Sequence, residues 1–237
     1  MKTEKNKVFS AFRAAFPFTL PVMTGYLFLG ISYGVYMNVS GFSFLYPLLM
    51  SIVIFGGSLE FLAVSLLLST FAPVQTFIMA LVIQARHLFY GLAMLEKYKN
   101  TGLKKLYLIF ALTDETFSVN CSAKVPEGIN KGWFYFGVSA FDQCYWVTGA
   151  VLGGILGSFI PFNTEGLDFV MTAMFTVIFI EQWLKEKKHY TALIGILSSI
   201  ICLFIFGADS FIIPTMVCIF VMLTFFRRPI EKAGGFE

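Results

Sequence analysis

The most informative stretch of this chain reads VIQARHLFYG, over residues 82–91. It combines apolar residues with four polar ones, which are Gln84, Arg86, His87 and Tyr90. Side chains three or four positions apart share a helix face, so these four form one polar face. Eight mostly apolar residues follow His87 before Glu96, which predicts that Arg86 lies deep in a membrane. The alternative is a helix end from which Arg86 reaches the lipid headgroups.

A deep position would give this arginine a function. A charge at bilayer depth costs about 2.5–3.5 kcal/mol on insertion scales, so such residues face a polar cavity and carry a counter-ion or a ligand. The planar guanidinium group can bind a carboxylate through two parallel hydrogen bonds. The stretch therefore predicts a polar pathway within an apolar bundle, with Arg86 and Gln84 as candidate substrate ligands.

The composition of the whole chain is that of a polytopic membrane protein. Hydrophobic residues make up 57% of the 237 residues and charged residues 13%, whereas soluble domains contain about 25% charged residues. A spanning helix needs about 20 apolar residues, which leaves room for about eight spans. We predict an all-α integral membrane bundle of about seven or eight transmembrane helices, some of them broken. The predicted helices cover residues 15–37, 44–70, 73–95, 105–122, 133–160, 166–184, 191–207 and 210–226.

The basic residues predict the topology of this bundle. A single transport domain, 15–226, is expected between an N-terminal segment, 1–14, and a C-terminal tail, 227–237. Positive residues concentrate on the cytoplasmic side, so we place both termini in the cytoplasm. The inside segments then hold Lys2, Lys5, Lys7, Arg13, Lys124, Lys131, Lys185, Lys187, Lys188, Arg227, Arg228 and Lys232. The outside segments hold Lys97, Lys99, Lys104 and Lys105.

The four outside lysines, in loop 96–105, leave two topologies open. Either this loop is external, or one early segment is re-entrant and changes the parity of the spans. Residues that can break a helix make the second option physically reasonable, because broken helices are tolerated beside cavities. These residues are Pro17, Pro21, Gly56, Gly57 and Pro73.

Glycine spacing indicates close helix packing and a possible internal repeat. Small residues every four positions line one helix face and let two helices approach closely. The two series are Gly30 and Gly34, and Gly149, Gly153 and Gly157. The first series lies near the start of segment 25–95 and the second starts segment 149–207. In both segments a glycine-rich helix is followed by an aromatic-rich helix and a further span, as expected for a transporter built from repeats.

Glu60 follows a glycine pair in the segment FGGSLEF, residues 55–61. Gly56 and Gly57 predict a helix break that exposes backbone groups to a cavity, where they can bind a substrate. Glu60 would bind a substrate amine there or, if it has no partner, carry a proton. The alternative is a neutral glutamic acid that is hydrogen-bonded within the core.

Three further residues are candidates for proton coupling, which are Glu115, Asp142 and His87. Asp114 and Glu115 are adjacent, so they point in different directions on a helix, and we expect Asp114 to pair with Arg86. A water-facing helix end is the alternative for this carboxylate pair. Asp142 lies in the aromatic segment FDQCYW. The imidazole of His87 has an unperturbed pKa of about 6.5, which suits proton transfer.

The sequence contains little that indicates an enzyme. HExxH, GxSxG, P-loop and GxGxxG patterns are absent, and the chain has only two histidines. Its four cysteines have no CxxC spacing, and its net charge of +3 is small. We expect no catalytic activity, cofactor, metal site or nucleic-acid partner.

The chain resembles the AzlC family, the large subunits of branched-chain amino acid exporters, at the polar and glycine-rich segments described above. The resemblance runs from about residue 14 to 205. Its motifs are the segment Pro17–Gly34, FGGSLEF at 55–61, QARH at 84–87, TDE at 113–115, and LDF at 167–169 with Phe175. The chain departs from the family pattern at Gln84, where asparagine is expected, and at Glu60, where glutamine is expected. The added carboxylate bears directly on substrate identity.

The resemblance implies a secondary transporter in the bacterial plasma membrane. It would export branched-chain amino acids with a small AzlD-type membrane subunit, driven by protons. Arg86 would bind the substrate carboxylate, Glu60 or Asp114 the amine, and phenylalanine-rich helices the aliphatic side chain. The alternative function is a structural or regulatory membrane subunit whose partner holds the substrate site.

Overall fold

The computed structural model describes residues 2–159, 172, 176, 179–180, 183–184, 189–207 and 211–226. Every regular element within these residues is an α-helix, which confirms the predicted all-α class. The helices are α1 (Lys2–Val39), α2 (Leu45–Val53), α3 (Gly57–Leu68), α4 (Pro73–Met94), α5 (Lys104–Phe110), α6 (Asp114–Ser122), α7 (Lys131–Leu156), α8 (Tyr190–Phe206) and α9 (Ile212–Phe225). They belong to two compact units, Met1–Leu167 and Asp168–Glu237.

The first unit is built around α1 and α7, which pack against each other and run in the same direction. At their near end, Gly137 of α7 lies against Phe12 and Ala15 of α1. At their far end, Gly157 lies against Asn38. Glycines line the contact between these levels, so the predicted close packing through both glycine series is confirmed.

α1 is longer and less interrupted than the sequence predicted. It begins at Lys2, well before the expected residue 15, and it continues through Pro17 and Pro21. A membrane helix tolerates proline because neighbouring groups can satisfy the backbone that proline leaves unpaired. The predicted breaks at these two prolines are therefore wrong, whereas Pro73 marks the first position of α4.

α2 enters the bundle from the far end. Phe44, which precedes it, and Pro47 in its first turn lie against Gly154 near the end of α7. By Ile52 the chain has reached the middle of α7, because the Ile52 carbonyl oxygen accepts a hydrogen bond from Gln143 Nε2 at 3.1 Å. α2 ends one residue later.

α3 then turns back toward the far end, so α2 and α3 form a hairpin. Phe55, between the two helices, has a φ of 44°, a strained conformation for a bulky residue. In α3, Phe61 packs against Tyr33 and Tyr36 of α1 with ring centroids 5.4 and 6.1 Å apart. The predicted break at the glycine pair is confirmed.

α4 crosses from the far end to the near end, antiparallel to α1. It starts where α3 has returned to the far end. Its last residue, Met94, is buried in a near-end cluster with Ala15 and Phe134. The polar stretch that includes Arg86 therefore lies between the two ends of the unit.

α5 and α6 form a second hairpin, which enters from the near end. Lys104 Nζ lies 4.3 Å from the centre of the Trp133 ring, at the start of α7. Further along α5, the Tyr107 hydroxyl donates to Gln143 Oε1 at 2.7 Å. α6 then returns, because Lys97 Nζ at the near end donates to the carbonyl oxygen of Asn120 at 3.2 Å.

These hairpins correct the predicted spans 44–70 and 105–122, because each segment turns back instead of crossing. One described helix is long and apolar enough to cross a membrane by itself, Asn6–Val39 with a mean hydropathy of 1.5. α4 counts as a second if Pro73–Leu81 and Ile83–Met94, which meet at 44°, form one span. The predicted total of about seven or eight spans is therefore not confirmed.

The two hairpins also bear on the two topologies that the lysines of loop 96–105 left open. Loop 96–103 and the loop before α7 together line one cavity of about 720 Å³, with Lys97, Lys99, Lys124 and Lys131 in its wall. Lys97 and Lys99 therefore lie at the same end as Lys124 and Lys131, the near end where α1 begins, and so does Lys104 at Trp133. This position agrees with the second alternative, in which an early segment is re-entrant, and 105–122 turns back in the same way.

This arrangement makes a prediction for the membrane-embedded protein. Single cysteines at Asn100 and Glu127, in a background without native cysteines, should react with an impermeant maleimide from the same side of the membrane. A cysteine at Gly41, beyond α1, should react from the opposite side only. Labelling of Asn100 and Glu127 from opposite sides would contradict the α5–α6 hairpin.

The second unit contains α8 and α9, which agree with the predicted helices 191–207 and 210–226. The two helices pack together, and Cys218 Sγ lies 3.8 Å from Ser198 Oγ. Much of predicted helix 166–184, the LDF motif, Phe175 and the tail 227–237 lie outside the described residues. The internal repeat of 25–95 and 149–207 stays a prediction for the same reason.

Candidate functional site

The two helix breaks meet in the middle of the first unit. The rings of Phe55, from the first break, and Phe110, from the end of α5, have centroids 6.4 Å apart. α3 and α6 both begin at this level, and they run toward opposite ends. The amino terminus of a helix carries a partial positive charge and free N–H groups, so both half-helices direct these groups into the centre.

Arg86 of α4 joins the two hairpins. Its Nη2 atom lies 3.0 Å from Asp114 Oδ2, in the first turn of α6. The same Nη2 donates to Ser58 Oγ, in the first turn of α3, at 3.2 Å. The predicted pairing of Arg86 with Asp114 is confirmed. Arg86 therefore pairs with a carboxylate of its own chain, whereas the alternative interpretation paired it with lipid headgroups.

This ion pair is only partly shielded and leaves hydrogen-bonding capacity unused. The side chains of Arg86 and Asp114 are 35% and 24% exposed. Among the described residues, Arg86 Nε has no hydrogen-bond partner. The exposed part of the guanidinium group has further N–H donors that can contact a second anion beside Asp114.

Glu60 is fully buried beside the first break. Its Oε1 atom accepts hydrogen bonds from the Gly56 N–H at 3.1 Å and from Trp146 Nε1 at 3.0 Å. Its Oε2 atom has no partner within the described part of the chain. Glu60 thus stabilises the start of α3, as a core residue would, with one buried oxygen left without a hydrogen bond from the described residues.

The glycine pair makes room for the neighbours of Glu60. A Cβ at Gly56 would overlap the Gln84 amide nitrogen, and one at Gly57 would lie 3.1 Å from the Trp146 ring. The predicted substrate ligands Gly56, Gly57, Glu60 and Gln84 are therefore neighbours around this break. Close approach explains why this break uses glycine.

A second polar cluster connects α1, α6 and α7. The Tyr26 hydroxyl donates to Glu115 Oε2 at 2.8 Å and lies 2.5 Å from Thr113 Oγ1. Thr113 Oγ1 donates to Thr116 Oγ1 at 2.9 Å, and Thr116 Oγ1 donates to Asp142 Oδ2 at 2.8 Å. The structure therefore links two of the predicted proton-coupling residues, Glu115 and Asp142, through three hydroxyl groups.

His87, the third predicted proton-coupling residue, makes its contacts on its own helix. Its Nδ1 atom lies 3.3 Å from the Gln84 carbonyl oxygen, and its ring meets the edge of Tyr90 with centroids 5.6 Å apart. The role of His87 in proton coupling stays a prediction.

Several residues of both clusters are not identified by any sequence pattern described above. Tyr26, Ser58, Thr116 and Trp146 each bind one of the predicted carboxylates or Arg86. A tyrosine hydroxyl or an indole N–H in an apolar helix needs a buried partner, and that rule could have identified Tyr26 and Trp146. For Ser58 and Thr116 the sequence contains no comparable signal.

Neither cluster resembles a metal centre. Within the described ranges, no three His, Cys, Asp or Glu side chains come together in a way that could hold a metal ion. The arrangement suits recognition of charged groups and transfer of protons, since it combines a cation, several carboxylates and hydroxyl groups.

Comparison with known proteins gives consistent matches over nearly the whole chain. The family model described as "AzlC protein" matches residues 21–160. The "Branched-chain amino acid transport protein AzlC" of Bacillus subtilis is 55% identical over 97% of this chain and 91% of its own. An "Uncharacterized membrane protein" of Haemophilus influenzae is 46% identical over 92% and 90%. The "Inner membrane protein YgaZ" of Escherichia coli is 25% identical over 84% of both chains. No solved structure matches significantly.

Proposed function

The chain belongs to the AzlC family, and we propose that it is a secondary transporter that exports branched-chain amino acids across the bacterial plasma membrane. One observation carries this proposal: two half-helices that run toward opposite ends begin beside an arginine and a buried carboxylate. Discontinuous helices that meet at the midplane form the substrate sites of many secondary transporters.

A zwitterionic amino acid fits the charges of this site. We assign its carboxylate to Arg86, with help from the amino termini of α3 and α6. We assign its ammonium group to Glu60 Oε2, which has no hydrogen-bond partner among the described residues. Glu60 lies in the same turn of α3 as Ser58, whose hydroxyl accepts a hydrogen bond from Arg86. Because Asp114 already pairs with Arg86, it serves as the counter-ion and is the weaker candidate for the amine.

Aromatic residues supply apolar surface for an aliphatic side chain. Phe55 and Phe110 face each other where the two hairpins meet, and Phe55 is also 6.4 Å from Tyr26. A pocket that is mostly apolar and has a few oriented polar groups is typical of small-molecule sites. The relative named for branched-chain amino acid transport supports this substrate class.

Proton coupling and a partner subunit complete the proposal. We assign proton coupling to Glu115 and Asp142, with His87 as a further candidate, because carboxylates in a dry site can change charge during a transport cycle. A small AzlD-type membrane subunit would assemble with the chain. Both termini would lie in the cytoplasm, together with the lysines of the near end.

The alternative function is a structural subunit whose partner holds the substrate site. In that case the buried charges would pair across subunits. The Arg86–Asp114 pair is formed within this chain, at 3.0 Å, which favours the transporter.

Efflux from proteoliposomes tests the proposal. Vesicles that contain the protein, with and without an AzlD-type subunit, are loaded with radiolabelled leucine and energised with a proton gradient. We expect concentrative leucine movement that a protonophore abolishes, with protein-free vesicles as the control. Leucine movement that persists unchanged with the protonophore would exclude proton coupling, and no movement in either preparation would exclude leucine transport.

A further inference from the structure

We propose that Glu115 and Asp142 hold a single proton between them and exchange it through the hydroxyl groups of Tyr26, Thr113 and Thr116. This series of five side chains is called the hydroxyl chain below. Its existence follows from geometry alone. Its link to substrate movement rests on the proposed transport function.

The hydroxyl chain is continuous. Four contacts join its five members in the order Glu115, Tyr26, Thr113, Thr116 and Asp142. Their oxygen–oxygen distances are 2.8, 2.5, 2.9 and 2.8 Å, and each is short enough for a hydrogen bond.

Counting protons favours a state in which one of the two carboxyl groups is protonated. Each hydroxyl has one proton to donate, so three protons are available for four contacts. If both carboxylates are ionised, Tyr26 donates to Glu115, Thr116 donates to Asp142, and Thr113 can donate to only one of its two neighbours. One contact between two oxygens is then left without a proton. A fourth proton, on Glu115 or on Asp142, fills all four contacts.

Water has little access to the contact that lacks a proton, because four of the five members are buried. Tyr26 is 5% exposed and Thr113 8%, Thr116 and Asp142 are fully buried, and Glu115 at the end of the chain is partly exposed. A buried polar contact without its hydrogen bond costs about 1–3 kcal/mol. The state with one shared proton avoids this cost, whereas the state with two ionised carboxylates does not.

The same hydroxyl chain provides a route for the proton. When Glu115 gives its proton to Tyr26, Tyr26 gives its own to Thr113, Thr113 to Thr116, and Thr116 to Asp142. Four O–H bonds break and four form, so one proton moves from Glu115 to Asp142 overall. The negative charge moves in the opposite direction, from Asp142 to Glu115.

The position of the proton changes the charge beside the substrate site. Glu115 is adjacent in sequence to Asp114, the partner of Arg86. With the proton on Asp142, Glu115 is negative and its charge weakens the attraction of the site for a substrate carboxylate. With the proton on Glu115, this repulsion is absent. Within the described residues, Asp114, Arg86 and Tyr90 also interact electrostatically with Glu115, and Tyr107, which is close to Cys144, with Asp142.

Infrared spectroscopy of the purified full-length protein in lipid vesicles tests the shared proton without any substrate. The carbonyl stretch of protonated carboxyl groups is recorded at neutral pH in H₂O and D₂O. A Glu60→Gln background removes the contribution of the third buried carboxyl. We expect one protonated carboxyl in this background, and we expect both Glu115→Leu and Asp142→Leu to remove its band.

Both losses follow from the proton count. When leucine replaces either carboxyl, three contacts and three hydroxyl protons remain, and all three protons can point toward the surviving carboxylate. A band that disappears in only one of the two variants would assign the proton permanently to that residue and overturn the proposal. A band that survives in both, or is absent from the parent, would overturn it as well.

A matched pair of tyrosine variants provides a control for loss of folding. Tyr26 and Tyr33 are both buried in α1 and both pack against Trp146, but the Tyr33 hydroxyl donates to Met50 Sδ, outside the hydroxyl chain. We expect Tyr26→Phe to abolish the band and Tyr33→Phe to retain it. Equal spectra for the two variants would overturn the proposal.

Transport measurements with the same pair connect the proton to the substrate. In proteoliposomes, Tyr26→Phe should lower proton-driven leucine efflux at least tenfold while leucine–leucine exchange continues, and Tyr33→Phe should lower neither. Unchanged proton-driven efflux in Tyr26→Phe would overturn the link. If the wild-type protein moves no leucine, the proposed function fails, while the infrared result still decides whether the proton is shared.

Discussion

Replacement of Arg86 with glutamine is expected to weaken leucine binding about a hundredfold. This factor corresponds to about 3 kcal/mol, in the range of a lost hydrogen-bonded contact with a charged group. Glutamine keeps a polar side chain but loses the positive charge and the planar fork that suits a carboxylate. Equilibrium binding of radiolabelled leucine to the reconstituted protein measures the effect.

Two further variants separate substrate binding from structure. Arg13→Gln makes the same chemical change at an exposed position near the start of α1 and should leave leucine binding unchanged. Arg86→Lys keeps the charge for Asp114 but cannot form two parallel hydrogen bonds, so an intermediate loss is expected. Assembly with an AzlD-type subunit should survive in all three variants.

Unchanged leucine binding in Arg86→Gln would make Arg86 a structural residue and direct attention to Glu60 and its glycine break. Normal binding combined with failure to assemble would favour the structural-subunit alternative.

Replacement of Gly34 with alanine is expected to cause a large loss of stability. A Cβ at this position would overlap the backbone of α7 at Ala150 and Gly154. Overpacking typically costs about 1–3 kcal/mol and occasionally more. Because backbone atoms cannot move to another rotamer, the two helices must separate, and we expect a loss of about 3 kcal/mol. The melting temperature should then fall by about 6–12 °C for a chain of this size.

Gly25→Ala is the matched control for this variant. Gly25 also lies within α1, but a Cβ there meets nothing within 4 Å. Alanine is the better helix former by about 1 kcal/mol at both sites, so the two variants differ mainly in the contact with α7. Thermal unfolding in detergent compares them, and equal melting temperatures would mean that α1 and α7 do not pack as closely as the structure has them.

Several features of the site could be predicted from sequence because their cause is local. The pairing of Arg86 with Asp114 follows from the cost of an isolated deep charge, which demands a partner of opposite sign. The break at Gly56 and Gly57 follows from the weak helix preference of glycine. Neither inference requires knowledge of how the helices are arranged.

The hydroxyl chain could not be predicted in this way. Tyr26 and Asp142 are far apart in sequence, and α6 brings Thr113 and Thr116 between them only because α1 and α7 run parallel. Hydroxyl residues are also common in membrane helices, where they bond to nearby backbone, so their sequence position does not identify a long-range partner.

Composition and apolar run length were sufficient to establish an all-α chain with membrane character, because both depend only on which residues are present. The path of the chain depended on tertiary structure. Segments 44–70 and 105–122 are apolar enough to read as single spans, and a helix that continues across the membrane has the same hydropathy as one that turns back. Only contacts far apart in sequence, such as Phe61 with Tyr36 and Lys97 with Asn120, distinguish the two.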